Sequence, residues 1–212
     1  MHIPDAFIPL SQGAVYWIVA LIFIALSLRW AKKEMSEEKI PLVAVLAAGI
    51  FAIQAFNLPV AMGTSGHLVG GALAAIILGS PFAAVFILTL VLVIQGILFG
   101  DGGITTMGAN IVNMGVIGGF VGYYTFHGLT IATKNQNASL FIAAWLACVV
   151  SALACAIEMY LAGTFPLVPG LVAMGLYHAA IGVIEGGITV FAVNLIATAR
   201  PDIIVLPRAV SA

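Results

Sequence analysis

The chain opens Met1-His2-Ile3-Pro4-Asp5, and such a start can do chemistry. A free amine on Met1 and the amide nitrogen of His2 close a five-membered ring on a metal ion. The same amide nitrogen and the His2 Nδ1 close a six-membered one. Three nitrogens then lie in one plane. One imidazole from elsewhere completes a four-nitrogen square, the geometry diagnostic of Ni(II) or Cu(II). Zn(II) prefers a tetrahedron, which the planar clamp disfavours. The donors must shed protons, so binding weakens in acid. Met1 must be kept and deformylated, and its amine must face a pocket. Histidine at position 2 is too bulky for ordinary removal of Met1. In isolation such a histidine is usually accidental. It gains weight from a second imidazole on the same side of the molecule, and the candidate is His67, in a glycine-rich stretch.

The elements that must position these groups are apolar. Of 212 residues, 63% are hydrophobic and 7% charged, against about 45–50% and about 25% in soluble domains. So few charges cannot cover a water-soluble surface. A net charge of −1 with no basic patch argues against nucleic acid. Seven apolar segments run over 13–30, 40–56, 67–78, 82–99, 109–126, 140–161 and 175–197. Six approach the roughly 20 residues that span a bilayer. The fold class expected is therefore an all-α integral membrane protein with seven transmembrane helices, in a single domain. Residues 1–12 form an external segment, since nothing there reads as a signal peptide and the mature chain is expected to begin at or near residue 1.

The basic residues Arg29, Lys32, Lys33, Lys39, Lys134, Arg200 and Arg208 follow segments one, five and seven. Seven crossings put all of them on one side, which the positive-inside rule makes cytoplasmic. The N-terminus is then outside and the C-terminus inside. The third segment is short: twelve helical residues rise about 18 Å, against about 30 Å of hydrocarbon. Residues 57–66 before it must dip into the membrane as irregular backbone, tolerated only where protein buries it or water reaches it. Gln54, Asn57, His67, Gln95, Asn110, Asn113, Glu158 and His178 all map to the outer half, as an outward-facing polar pocket requires. Interhelical hydrogen bonding is the plainer account of any one Asn or Gln.

Small residues recur at spacing four: Ala44, Ala48 and Ala52 in segment two, Gly115 with Gly119 and Gly118 with Gly122 in segment five. Such stripes serve internal packing or the docking of a partner helix. The run 29–39 reads as a solvated loop and His127 as an interface residue. Cys148 and Cys155 are seven apart on one helix, about 10 Å of rise, too far for a disulfide.

The start Met1-His2-Ile3-Pro4-Asp5, the segment Gly63-Thr64-Ser65-Gly66-His67-Leu68-Val69-Gly70-Gly71 and the seven-span layout resemble the NikM/CbiM family over essentially the whole chain. Those proteins are substrate-binding S components of energy-coupling factor (ECF) transporters for Ni(II) and Co(II). The resemblance implies a metal held by the Met1 amine, the His2 amide, the His2 imidazole and the His67 imidazole. Asp5, Ser65, Asn110, Glu158 and His178 are candidates to support those ligands. It also implies one helix, 13–30, added before a six-helix core at 40–199. The Ala44/Ala48/Ala52 stripe would dock a transmembrane coupling (T) subunit. Energy would come from that subunit and from cytoplasmic ATP-binding-cassette ATPases, with a small accessory membrane subunit as a further partner. No Gly-rich Lys-Ser/Thr phosphate loop is present. The location implied is a prokaryotic cell membrane. Met-His-Ile-Pro-Asp looks like the nickel members, whereas cobalt members more often read Met-His-Ile-Met-Glu; Co(II) is the alternative cargo. One departure is Ala6, where family members usually carry Gly.

Two rivals come from other classes. An intramembrane metalloenzyme would use His67, His178, Glu158 and Glu185, although no His-Glu-x-x-His motif occurs. A structural or channel-like subunit would show no tight metal binding.

Overall fold

In the computed structural model, which describes residues 1–60, 64–204 and 206, Gly63 of the glycine-rich motif and Arg208 lie outside the described residues. Helices α1 (Leu10–Glu34) and α2 (Ile40–Gln54) are joined by a 3₁₀ turn at Glu37–Lys39. Two short strands, β1 (Leu58–Pro59) and β2 (Ser65–Gly66), precede α3 (Gly71–Ile77). Helices α4 (Pro81–Leu98), α5 (Met107–Ile111), α6 (Gly118–Thr133), α7 (Gln136–Leu161) and α8 (Leu167–Ala199) follow. A π-helical stretch, Val112–Ile117, joins α5 to α6, so that 107–133 form one unbroken rod.

Local chemistry sets the helix starts. The Ser80 hydroxyl accepts the Phe82 N–H at 3.2 Å, with Pro81 in the first turn of α4. Asn135 caps α7 by accepting the Ala138 N–H at 3.0 Å. These placements fit orphan amides and a fixed proline φ. Helices α1, α4, α7 and α8 are each long and apolar enough to cross a membrane. Large apolar side chains stand exposed along them, Leu10, Ile18, Ile97, Leu161 and Phe191 among them. Surfaces of that kind are satisfied by lipid, not water.

Several boundaries differ from the sequence expectation: α1 continues to Glu34, into the run 29–39 expected as a loop, and α6 continues to Thr133, but two differences bear on the site and its neighbours. The third helix begins at Gly71, not at His67, because Gly70 adopts a left-handed φ of +76° that breaks helical continuity. The dip before it is not wholly irregular: β1 and β2 pair antiparallel, Leu58 opposite Gly66 and Pro59 opposite Ser65. The last helix begins eight residues earlier than expected, at Leu167 in place of 175, since Pro166 provides an extended residue from which a helix can start.

All seven residues of α3 are buried, and the helix packs against α4, α6, α7 and α8. Glycines allow that approach. A Cβ on Gly71 would lie 2.5 Å from the Met114 carbonyl oxygen, and one on Gly122 would lie 2.7 Å from Ala72 Cα. Gly118 faces Val69, while Gly115 and Gly119 face Val85 and Ala84 on α4. Of the two readings of these stripes, internal packing describes the glycines. The alanines differ: Ala44, Ala48 and Ala52 are exposed, while α2 buries Val43, Leu46, Ile50 and Gln54 on its other face. Cys148 and Cys155 are free thiols, both buried.

Helix α1 buries only Gly13, Ala20, Ser27 and Ala31, a narrow seam of small side chains against α4 and α5. A Cβ on Gly108 would lie 2.6 Å from the Trp17 nitrogen, so α1 meets α5 backbone to backbone. That contact aims residues 1–9 into the bundle. The turn at its head is strained, because Ala6 has φ +70°. Left-handed backbone costs an L side chain about 1–2 kcal/mol, of which glycine would return about 0.5–1 kcal/mol as extra unfolded-chain entropy. Ala6→Gly is therefore expected to raise the thermal midpoint of the metal-free protein by about 1–3 °C. A midpoint that stays put or falls would show that the turn carries no strain.

Candidate metal centre

Residues 1–5 are threaded into the bundle by their main chain. The Ile3 N–H donates to Asn110 Oδ1 at 2.8 Å, and the Ile3 carbonyl accepts the Gly103 N–H at 3.0 Å, the Asn110 amide at 3.3 Å and the Thr106 hydroxyl. Asp5 accepts the amides of Ile104 (3.2 Å) and Thr105 (2.8 Å) and the Thr105 hydroxyl. These bonds, the Thr105 hydroxyl foremost, hold its carboxyl below the usual range. Gly102, at φ +90°, has no room for a side chain: a Cβ would meet Asn110 Nδ2 at 3.1 Å and His2 Cδ2 at 3.3 Å. The loop 99–106 is thus a cradle for the N-terminal segment.

Inside the cradle, the Met1 side chain is fully buried and its carbonyl accepts the Cys155 thiol at 3.6 Å. The Met1 amine donates to the Ser65 carbonyl and lies 3.1 Å from the Ser65 hydroxyl. The His2 and His67 rings stack, with centroids 4.4 Å apart and an interplanar angle of 25°. The His67 Nδ1–H donates to the Leu68 carbonyl at 2.8 Å, which leaves Nε2 as the nitrogen with a free lone pair. That atom is buried without a hydrogen-bond partner among the described residues, as are both ring nitrogens of His2. Asp101 Oδ1 stands 3.3 Å from His2 Nδ1, and Asp101 is held in turn by Asn57 at 3.2 Å. A cleft lined by Pro4, Asn57, Pro59, Ser65 and Asp101 opens onto His2.

Burial favours the uncharged form of these donors. It pulls the Met1 amine down from 8.0 to about 5, against a smaller upward pull from Cys155 and Asp101. His2 falls to about 4, through burial first and the neighbouring amine second. At neutral pH both carry free lone pairs. Among the described residues no three His, Cys, Asp or Glu side chains converge on one point. A metal held by His2 and His67 would find its nearest further nitrogen donors in the Met1 amine and the main chain. Nitrogen donors sit about 2 Å from a first-row metal, so two imidazoles at adjacent corners of a square have centroids roughly 4–5 Å apart. The spacing of His2 and His67 falls in that range.

The structure sorts the supporting candidates. Ser65 and Asn110 touch the N-terminal segment, and Asp5, within that segment, ties it to Ile104 and Thr105. His178 lies beneath β2, its Cε1 3.6 Å from where a Gly66 Cβ would stand; its Nδ1–H donates to the Met174 carbonyl at 2.9 Å and its Nε2 is unpartnered. Glu158 accepts from Asn113 at 2.6 Å, and Gln12 reaches only its main-chain carbonyl; no hydrogen bond joins its carboxylate to the clamp. Glu185 accepts the Val69 and Gly70 amides, so the four side chains an intramembrane metalloenzyme would need are divided among separate tasks. Asp101, Gly102, Gly103, Thr105 and Thr106 escape the sequence reading. The one signal for them is the run Gly100-Asp101-Gly102-Gly103 between two apolar segments.

A helical membrane protein with buried, uncharged nitrogen donors fits the class of membrane metal transporters, and its relatives fall in that class. The family described as "Cobalt uptake substrate-specific transmembrane region" (CbiM) matches residues 2–203. A putative fused nickel transport protein NikMN of Archaeoglobus fulgidus is 40% identical over 96% of this chain and 68% of its own. A cobalt transport protein CbiM of Geobacter sulfurreducens is 34% identical over 96% of this chain and 61% of its own. The crystal structure of a transition metal transporter superposes with a TM-score of 0.89 at 32% identity, covering 95% of each chain. The chain belongs to the CbiM family of nickel and cobalt transport proteins. Its relatives are transporters, not enzymes.

Proposed function

We propose that this protein is the substrate-capturing subunit of an ECF-type uptake system and that its cargo is Ni(II). The Met1 amine, the His2 amide, the His2 Nδ1 and the His67 Nε2 supply a square of four nitrogens. The observation that carries this is the buried Met1 amine, seated on Ser65 beside two stacked imidazoles whose nitrogens include three with no hydrogen-bond partner among the described residues. A planar four-nitrogen field suits Ni(II), and the Met-His-Ile-Pro-Asp start points the same way; Co(II) is the alternative.

The chain crosses the membrane seven times in this reading. Helices α1, α2, α4, α7 and α8, the rod 107–133, and α3 with its loop make the crossings, the N-terminus outside and the C-terminus in the cytoplasm of a prokaryotic cell. The core of six begins at α2. Its exposed Ala44 and Ala48 line an open apolar groove with Leu90 and Ile94 of α4, and the exposed Ala52 continues the stripe beyond it, a surface shaped for a helix of the T subunit. Cytoplasmic ATP-binding-cassette ATPases drive transport, and a small accessory membrane subunit completes the assembly.

The test is a Ni(II) titration of untagged protein whose mass shows an unformylated Met1. One equivalent should give a yellow, diamagnetic complex, tighter than the Co(II) complex of the same sample. No binding, or a paramagnetic six-coordinate complex, overturns the square. Tighter Co(II) binding reassigns the cargo.

The acid dependence has a defined sign. Amine and His2 are already neutral above about pH 5, so at neutral pH only the amide proton is displaced. Affinity should rise about tenfold per pH unit between about 6 and 8, with about one proton released per metal. Below about 5, protons compete for the amine and then His2, and affinity falls more steeply. Calorimetry in buffers of different ionisation heat counts the protons. Two or more released at pH 7 would mean that the amine is not seated before metal arrives.

A further inference from the structure

We propose that Glu185 is a positioning residue for His67, acting through the single peptide group between Leu68 and Val69; this rests on the nickel site proposed above. Glu185 projects from α8 and is buried, as is His67. Its Oε2 accepts the Val69 N–H at 2.8 Å and its Oε1 the Gly70 N–H at 2.9 Å. The Val69 nitrogen and the Leu68 carbonyl belong to the same peptide group. That carbonyl accepts the His67 Nδ1–H at 2.8 Å. The peptide is therefore gripped at both ends, by a carboxylate at its N–H and an imidazole at its C=O.

Two consequences follow for the ring. A carbonyl can only accept, so His67 must carry its proton on Nδ1 and present its lone pair at Nε2. A carboxylate on the peptide N–H also polarises the peptide, which strengthens the carbonyl as an acceptor. The pull passes to the Nδ1–H and leaves Nε2 the more basic donor. Metal-bound histidines commonly hand their second N–H to a carboxylate or a carbonyl, which orients the ring and raises its donor strength. Here the carboxylate acts one peptide further out.

A role in folding alone is the competing account. Glu185 also secures the turn at Gly70 that leads into α3, and Gln54 secures the same turn by donating to the Val69 carbonyl at 2.7 Å. The Gln54 contact lies on the next peptide group, not on the one that holds His67. The pair therefore separates turn stability from donor tuning.

The experiment compares wild type, Glu185→Gln and Gln54→Leu by Ni(II) titration with visible absorption, alongside the thermal midpoint of each metal-free protein. Glutamine keeps one acceptor oxygen and turns the other into a donor, so one of the two N–H groups loses its partner. The expected result for Glu185→Gln is affinity lower by about 10–100-fold and an absorption band moved to longer wavelength, as a weaker donor produces. Gln54→Leu should lower the midpoint and leave the band in place. A Glu185→Gln band at the wild-type position overturns the relay, whether or not affinity falls, and so does an equal shift in Gln54→Leu. If Glu185→Gln yields no folded metal-free protein, Glu185→Asp carries the same readings, with a band shift expected and an unshifted band overturning the relay. Wild type that binds no nickel removes the site itself and the relay with it. Wild type that binds while the variants are indistinguishable from it removes the relay alone.

Discussion

Protein acetylated at the Met1 amine should lose nickel binding almost entirely while keeping its helical fold. Acetylation converts the terminal amine into an amide, supplies no new amine, and so removes one donor. It also removes the anchor that the five-membered ring gives the His2 amide, which leaves the amide nitrogen little reason to shed its proton. Space is lacking as well: the Met1 side chain is fully buried, the amine rests on Ser65, and the carbonyl meets Cys155. Four-ligand protein sites are worth about 10–16 kcal/mol, roughly 2.5–4 kcal/mol per donor. Losing two donors therefore costs about 10⁴-fold or more in affinity. Equilibrium dialysis with native and acetylated protein reads this directly. Equal affinity in the two would remove the amine from the site and sink the square.

His67→Ala should cost less, roughly 10²–10³-fold, because one donor of four is lost and water can replace it. The spectrum should change along with the affinity, since a water oxygen is a weaker donor than imidazole nitrogen. His178→Ala is the informative partner. Its Nε2 is as unpartnered as that of His67 and lies just beneath β2. If His178→Ala loses nickel and His67→Ala retains it, the fourth corner belongs to His178 and the stacked pair of rings is incidental.

Much of this was legible in the sequence because the residues concerned do unusual things locally. Long apolar runs with charges confined to their ends announce membrane helices, and the shortness of the third segment announced a loop entering the bundle ahead of it. Met1 and His2 stood out as candidates because chelate rings depend on covalent neighbours, which sequence displays; that the His67 ring stacks on His2 is visible only in the structure. The helix start at Gly71 was not, since His67 to Gly70 are apolar or glycine around one histidine and carry no period that separates loop from helix. The cradle of Asp101 to Thr106 was invisible for a different reason. Its function is to bond the main chain of Ile3 and the carboxylate of Asp5 across about a hundred residues, and main-chain partners leave no mark on residue identity. Glu158 reads as a candidate support of the ligands and Glu185 only as part of the enzyme alternative; contacts alone show that the first grips Asn113 and the second two backbone amides next to His67.

The burial of Met1 also orders events in the life of the chain. Its partners lie 64 residues away at Ser65 and 154 away at Cys155. Synthesis proceeds N-terminus first at about 5–20 residues per second, so the first residue made waits roughly 8–30 s for the last wall of its own pocket. During that interval the amine is open to the enzymes that deformylate, trim or acetylate new chains. Once seated it is beyond their reach. On the proposed site, a molecule's capacity for metal would then be decided by a race at the ribosome, before the transporter has met any cargo.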